Sequence, residues 1–223
     1  MEVGGNEDKD FVAFNKENGE ILWNYGSGHA SFNSPLLCTI EGQTQILFAN
    51  GRTMYSLTPN GDTLWTFDMP FGNITAMPLL VGENKIFLYG VRNPGFVIVE
   101  IKDQKATEFI RGNSMKNDFN TCVYFEGYIY GFHVASLRCI SAETGEAKWT
   151  KRGYGKGSLI KVDDKLFVLS DQGQLIIAEA VPDAFLELKS MQPLEGKSWT
   201  APSFVDGKVY VRNLTHMACY KIK

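Results

Sequence analysis

The sequence predicts an all-β protein made of repeated four-stranded antiparallel sheets. Three short segments share one pattern, in which a turn residue and a Gly precede an acid, two further residues and a Trp: 18–23, 60–65 and 144–149. The repeat length is about 40 residues, which is typical of propeller blades. Apolar runs of strand length separate the copies, and no window shows the 3.6-residue period of a helix. Together these observations predict a partial β-propeller of about five blades.

Turn signals divide the chain into strands. Asn50-Gly51 and Asn60-Gly61 separate apolar runs, as in β-hairpins. Within each repeat the strands are named A to D in chain order. The predicted strands are 11–14, 21–25, 34–38, 45–49, 53–57, 63–67, 75–80, 85–89, 96–101, 107–110, 121–124, 128–132, 136–140, 147–150, 157–161, 165–170, 174–180, 185–189, 200–205, 208–212 and 217–222.

We expect residues 1–223 to form a single partial propeller. The segment 10–25 is half a blade with strands C and D, and repeats follow at about 31–67, 73–110, 119–150, 156–189 and 198–222. The last repeat has no strand D. These unequal strand numbers favour a piece of a larger ring, whose unpaired edge strands are a route to association. Closure with five blades is the alternative.

The tryptophans have a structural interpretation. An indole on strand D can pack against a neighbouring blade, and a Gly permits the close approach because it has no Cβ. Burying one indole contributes at most about 4–6 kcal/mol. Stacking of these rings on a cofactor is the alternative, but their spacing follows the blades. The predicted docking residues are Gly19, Trp23, Gly61, Trp65, Phe109, Gly145 and Trp149, with Phe109 in the place of a tryptophan.

Two segments carry a resemblance to a known family. The pattern A-x-N-x-E-N-G-E-I-L-W at 13–23 and C-I-S-A-E-T-G-E-A-K-W at 139–149 resemble the tryptophan-docking repeat of pyrroloquinoline-quinone-like (PQQ-like) β-propellers. Segments 155–159, 206–212 and 219–222 are similar to the C-terminal half of that family. The repeats depart from the pattern where Gln104-Lys105 replaces Gly-acid, and where 181–188 lacks both Gly and Trp.

The resemblance implies a C-terminal portion of a longer seven- or eight-bladed, exported bacterial protein, whose N-terminal blades and signal peptide are missing here. It favours a non-catalytic, periplasmic platform that binds a protein, a peptide or a saccharide without a cofactor, similar in role to an outer-membrane-assembly lipoprotein of the superfamily. The alternative is a fragment of a PQQ-dependent alcohol or sugar dehydrogenase, which would hold the quinone over Ca²⁺. The sequence shows no adjacent cysteine pair and no recurring cluster of oxygen ligands for that ion.

Bulk properties exclude several classes. A net charge of -3 and a pI near 5.7 give no basic field for nucleic acid. No apolar run reaches the ~18 residues needed to cross a bilayer. The four cysteines have no CxxC spacing, so we expect no zinc site or dithiol pair, and we expect all four to be free and packed inside.

Polar and aromatic residues gather in the D–A and B–C loops, which emerge on one face of a propeller. We expect a binding rim there, and no catalytic or metal residues. Polar residues belong in loops in any case, and a histidine metal site is a further alternative. The candidate ligand-binding residues are His29, Asn33, Arg52, Asn73, Arg92, Asn120, His133, Lys156, Trp199 and His216.

Overall fold

A computed structural model describes residues 1, 3, 11–26, 33–72, 74–90, 95–117 and 119–222. All regular secondary structure among these residues is β-strand. The chain divides into two compact units, Met1–Asn113 and Ser114–Lys223.

The first unit contains three antiparallel sheets with strands in chain order. One sheet has two strands and the other two have four each. The strands are β1 (Phe11–Phe14) and β2 (Ile21–Tyr25); then β3 (Leu36–Ile40), β4 (Gln43–Asn50), β5 (Thr53–Leu57) and β6 (Thr63–Asp68); then β7 (Leu79–Val81), β8 (Lys85–Tyr89), β9 (Phe96–Lys102) and β10 (Lys105–Gly112).

The second unit contains two four-stranded sheets and one three-stranded sheet, again antiparallel and in chain order. The strands are β11 (Val123–Phe125), β12 (Tyr128–His133), β13 (Ser136–Ser141) and β14 (Ala147–Arg152); then β15 (Ser158–Val162), β16 (Lys165–Leu169), β17 (Leu175–Glu179) and β18 (Glu187–Met191); then β19 (Ser203–Val205), β20 (Lys208–Arg212) and β21 (Met217–Lys221).

The middle strands of the sheets form the core. In β8 and β9 nearly every side chain is buried, and the β9 sequence Phe-Val-Ile-Val shows no polar alternation. A continuous apolar run of this kind is typical of a strand that is covered on both faces. The fourth strands β10, β14 and β18 are mostly exposed. The sheet of β8 and β9 therefore buries its middle strands on both faces, while β10, β14 and β18 face solvent.

Five strands have the predicted bounds, and most others differ by one or two residues at an end. The largest difference is at two first strands, which the sequence predicts at 75–80 and 200–205, while only Leu79–Val81 and Ser203–Val205 pair. Ile74 and Ala76, which precede β7, are buried without belonging to a strand. Their apolar character reflects burial and not strand pairing. The five strands are β1, β2, β5, β8 and β20.

A bulge interrupts the pairing of strands C and D in every described sheet that has both. Ser56 pairs with Trp65, but Leu57 pairs with Thr63, so Leu64 is the extra residue. Leu22, Lys148 and Leu188 are extra in the same way. In β10 the extra residue is Phe109, since Glu108 and Ile110 pair with Val99 and Ile98. The register therefore puts Ile110, and not Phe109, at the tryptophan position of this repeat.

Trp23 packs on the turn of the next sheet. Its indole Nε1 donates to the Pro59 carbonyl oxygen at 2.9 Å. Gly61 has a φ of 92°, and a Cβ there would lie 3.0 Å from the indole ring. Gly19 and Gly145 have similar left-handed φ values, but a Cβ on Gly19 would meet no atom within 4 Å. Gly61 is thus needed both for its backbone and for the space it leaves.

Trp149 and Trp65 have different surroundings. Trp149 Nε1 donates to the Val181 carbonyl oxygen at 2.9 Å, and its ring meets Phe185 edge-on with centroids 5.5 Å apart. Trp65 is 5% exposed, and its Nε1 donates at 2.9 Å to Gln45 Oε1 in its own sheet. Phe109 is partly exposed, with Lys85 Nζ 3.9 Å from its ring centroid.

Candidate functional site

Loops of the second unit surround a small cavity of about 50 Å³. They precede β11, join β12 to β13, precede β15 and precede β19, so they are D–A and B–C loops in the sense predicted. Phe119, Val134 and Trp199 are large apolar side chains with about half of their surface exposed there. The lining residues are Asn117, Phe119, Asn120, Phe132, Val134, Lys156 and Trp199.

Buried amides hold the first loop in place. Asn117 is 2% exposed, and its Nδ2 donates to the Asn120 carbonyl oxygen and contacts Cys122 Sγ at 3.3 Å. Asn120 Nδ2 donates in turn to the carbonyl oxygen of Gly157 in the loop before β15. A Cβ on Gly157 would overlap the Leu169 carbonyl oxygen and the Phe132 ring. The floor of the cavity is therefore closely packed and hydrogen-bonded.

Val134 has a strained backbone. Its φ of 57° lies in the left-handed region, which a β-branched residue rarely occupies. The Val134 amide donates to the Lys116 carbonyl oxygen at 2.9 Å, which fixes the turn between β12 and β13 against the preceding loop. Such conformations cost about 1–3 kcal/mol and cluster at binding sites. The turn thus presents an apolar side chain to solvent at an energetic cost.

Asp171 connects the two other loops of the site. Its carboxylate accepts from the Lys156 amide at 3.2 Å and from Gln172 Nε2 at 3.3 Å. Its carbonyl oxygen accepts from the Ser198 amide at 2.9 Å. Gly155, with φ 60°, lies directly against the carboxylate and leaves no room for a side chain. Asp171 therefore fixes the backbone at Lys156 and next to Trp199.

A second cavity of about 160 Å³ lies beyond the indole of Trp199. Lys197 Nζ is 3.6 Å from the centroid of that ring, which is a cation–π contact. Asn213 also lines this cavity, and its Oδ1 accepts from the amides of Thr215 and His216 at 2.9 and 2.8 Å. The lining residues are Lys197, Trp199, Thr200, Arg212, Asn213 and Leu214.

The structure brings three predicted rim residues together and leaves others apart. Asn120, Lys156 and Trp199 line the first cavity. His216 lies in the exposed turn beside the second, where its Nδ1 is 2.9 Å from Thr215 Oγ1. His133 directly precedes Val134. Its pKa is lowered below the ordinary value, mainly by burial and then by the charges of Arg138 and Lys116. A backbone hydrogen bond with Ser114 raises the pKa in part.

In the first unit, Asn33 and Arg52 make structural contacts. Asn33 is 5% exposed and its Nδ2 donates to the Ala49 carbonyl oxygen at 2.9 Å. Arg52 is exposed, with Nη2 3.5 Å from the Met69 carbonyl oxygen. The remaining predicted rim residues, His29, Asn73 and Arg92, lie outside the described residues.

Sequence reasoning missed the apolar half of the site. Phe119, Val134 and Leu214 are among its most exposed side chains, but the predicted rim contains only polar and charged residues and one tryptophan. The sequence signal for two of these residues is a large apolar side chain one or two positions after an Asn. Phe119 stands two residues after Asn117, and Leu214 follows Asn213.

The described residues contain no group of three or more His, Cys, Asp or Glu side chains that could hold a metal ion. Burial raises the pKa of Cys38 to about 11 and those of Cys122 and Cys139 to about 12. All four cysteines are free. Cys219 is exposed, so the prediction that it is packed inside is wrong.

Successive antiparallel sheets of four strands are the blades of a β-propeller, and comparison with solved structures gives the chain this fold. The chain is similar to BamB from Moraxella catarrhalis, with 12% sequence identity and a TM-score of 0.67 over 96% of this chain and 68% of that one. The predicted all-β propeller class is confirmed. No family model and no curated protein matches the sequence. In the part of the chain that the structure describes, no helix has the length and apolar character to cross a membrane.

Proposed function

We propose that this protein is a non-catalytic propeller scaffold that binds a protein segment or a peptide at the loop face formed by Phe119, Val134, Lys156 and Trp199. The observation that carries the proposal is the cluster of exposed apolar side chains around a cavity whose floor is closely packed and hydrogen-bonded. Interface hot spots combine an exposed aromatic anchor with preorganised surroundings in the same way.

The resemblance of the repeats to PQQ-like propellers supports a finer placement. We assign the chain to that repeat class and place it outside the cytoplasm, in the periplasm of a bacterium, because members of the class are exported. The net charge of -3 argues against nucleic acid as the partner. On this proposal the platform needs neither PQQ nor Ca²⁺, so adding both should produce no protein-bound quinone absorbance and no dye-linked alcohol oxidation.

A peptide library tests the binding function. A random displayed library and a glycan array are presented to the wild-type chain, to Trp199→Ala and to Leu188→Ala. Leu188 is a matched control, because it is 51% exposed in β18 while Trp199 is 48% exposed. We expect enriched peptides whose affinity falls about 10- to 30-fold in Trp199→Ala, as for an aromatic hot spot, and stays unchanged in Leu188→Ala.

Two results would contradict the proposal. Ligands that bind equally well to Trp199→Ala would place the binding surface elsewhere. Binding of glycans alone, sensitive to Trp199→Ala, would replace the peptide by a saccharide. Circular dichroism of each variant checks that the sheets are intact.

A further inference from the structure

Trp199 is shared by the two cavities of the second unit. It lines the first together with Phe119 and Val134, and the second together with Leu214. The second cavity, at about 160 Å³, is similar in size to an engineered cavity of about 150 Å³ that holds benzene. A single aromatic or large aliphatic side chain therefore fits beside the indole in the second cavity, and a smaller group fits in the first.

The charged side chains of these cavities are all cationic. Lys156 lines the first, and Lys197 and Arg212 line the second. The described residues that line the two cavities include no carboxylate, although the whole chain has a net charge of -3. The nearby Asp171 carboxylate is directed at the Lys156 amide and Gln172. Asp118, next to Phe119 in sequence, lies outside the described residues.

We propose that the ligand of this face is an acidic peptide segment, in which one or two large apolar side chains are flanked by Asp or Glu. The inference rests on the binding function proposed above and adds the chemical class of the partner. Apolar side chains of the segment pack against Trp199 in the two cavities, while its carboxylates lie over Lys156, Lys197 and Arg212. Complementary charge of this kind selects the partner and speeds association.

Matched synthetic peptides test the inference. The acidic probe is a short fluorescein-labelled peptide with a central Phe-Leu pair flanked by Glu and Asp, and its twin has Gln and Asn at the same positions. Fluorescence anisotropy at physiological ionic strength measures both affinities. We expect the acidic probe to bind about 10-fold more tightly, because three partly exposed ion pairs each contribute modestly. The difference should shrink at high salt.

Variants of the chain locate the effect. Lys156→Met, Lys197→Met and Arg212→Met keep apolar stems in place and remove the charge. Each should weaken the acidic probe about 2- to 5-fold, and the triple variant should erase the preference over the amide twin. Lys189→Met, on the exposed strand β18, is the control and should have no effect. Asp118→Asn should leave the affinity for the acidic probe equal or higher.

The outcomes separate the two proposals. Equal, Trp199-dependent binding of both twins would overturn the acidic ligand and leave the binding function standing. Library ligands rich in Lys and Arg, or weaker acidic binding in Asp118→Asn, would also overturn it. If no library peptide and neither twin binds in a Trp199-dependent manner, the binding function itself fails.

Discussion

Trp23 and Trp65 occupy the same position in their repeats, at two junctions where one sheet of the first unit meets the next. The two indoles make different contacts. Trp23 crosses to the next sheet, where it covers Gly61 and donates to the Pro59 carbonyl oxygen. Trp65 is buried and donates to Gln45 Oε1, which also accepts from Ser56 Oγ at 2.7 Å. The turn at Asp103 and Gln104 is occupied instead by the Glu41 carboxylate.

The difference shows that the repeat fixes the position of the indole but not its partner. Both indole N–H groups are hydrogen-bonded, and the buried donor of Trp65 requires such a partner. Which acceptor is used follows from the turn of the following sheet. Trp149 shows that the carbonyl acceptor and the glycine of the motif can occur separately. Its indole donates to the Val181 carbonyl oxygen, although the turn that follows Val181 has no Gly. The carbonyl acceptor therefore does not depend on the glycine.

Trp65→Ala should have the largest effect on stability. The indole is packed with Ile86, Leu88 and Val99 in one core cluster, and its removal leaves a large cavity. We expect a loss of about 3–5 kcal/mol in the free energy of unfolding, measured by denaturant titration with circular dichroism. Trp23→Ala, at the more exposed junction, is the comparison and should lose less. Equal losses would mean that the two junctions are energetically alike.

Gly61→Ala should be the next largest. Its Cβ would be strained by the φ of 92° and would press on the Trp23 ring at 3.0 Å. We expect a loss of about 2–3 kcal/mol, while Gly19→Ala, with φ 77° and open space, should lose only the strain of about 1 kcal/mol.

A double-mutant cycle sharpens this result. In a Trp23→Ala background the extra loss of Gly61→Ala over Gly19→Ala should disappear, because the indole is gone. An undiminished difference would assign the cost of Gly61→Ala to the turn and not to the ring.

Much of the fold could be predicted from the sequence because the strands follow local rules. Turn pairs such as Asn60-Gly61 mark hairpins, and the repeat spacing sets the sheets. The bulge that places Phe109 one residue away from the tryptophan position could not be predicted, since a bulge depends on how two strands pair. The start of β7 could not be predicted either. A residue such as Ile74, which is buried without strand pairing, cannot be distinguished in sequence from a buried residue of a strand.

Less of the site could be predicted. Asn120, Lys156 and Trp199 were found because loop residues of these types gather in successive repeats. Asn33 has the same character in sequence, but its amide serves the Ala49 backbone. The exposure of Phe119 and Val134 is decided by contacts between loops that are distant in sequence. The roles of these residues remain predictions that the binding experiments test.

Trp149→Phe should have a smaller effect. The substitution keeps a ring near Phe185 but removes the hydrogen bond to the half-buried Val181 carbonyl oxygen. We expect a loss of about 1–2 kcal/mol in the free energy of unfolding. Trp199→Phe is the control, because that ring is half exposed, and it should change stability by less than about 0.5 kcal/mol. A loss as small as the control's would show that the N–H bond adds nothing at this junction.

Glu41→Gln should have the smallest effect and the clearest salt dependence. The β9–β10 hairpin has Asp103 and Gln104 at φ 51° and 56°, where Asn-Gly is the favoured pair. Both amides donate to the Glu41 carboxylate, at 2.9 and 3.2 Å, and Gln offers only one acceptor oxygen. Because Glu41 is exposed, we expect a loss of only about 0.5–1 kcal/mol in urea at low salt, declining in 1 M NaCl.

Two variants show whether Glu41 acts through this hairpin. Glu83→Gln, exposed in the corresponding turn between β7 and β8, should be neutral at both salt concentrations. Gln104→Gly relieves one strained residue, so it should stabilise the chain and reduce the cost of Glu41→Gln. An unchanged loss for Glu41→Gln in the Gln104→Gly background would contradict this role. The carboxylate would then not compensate for the missing glycine at the junction of Trp65.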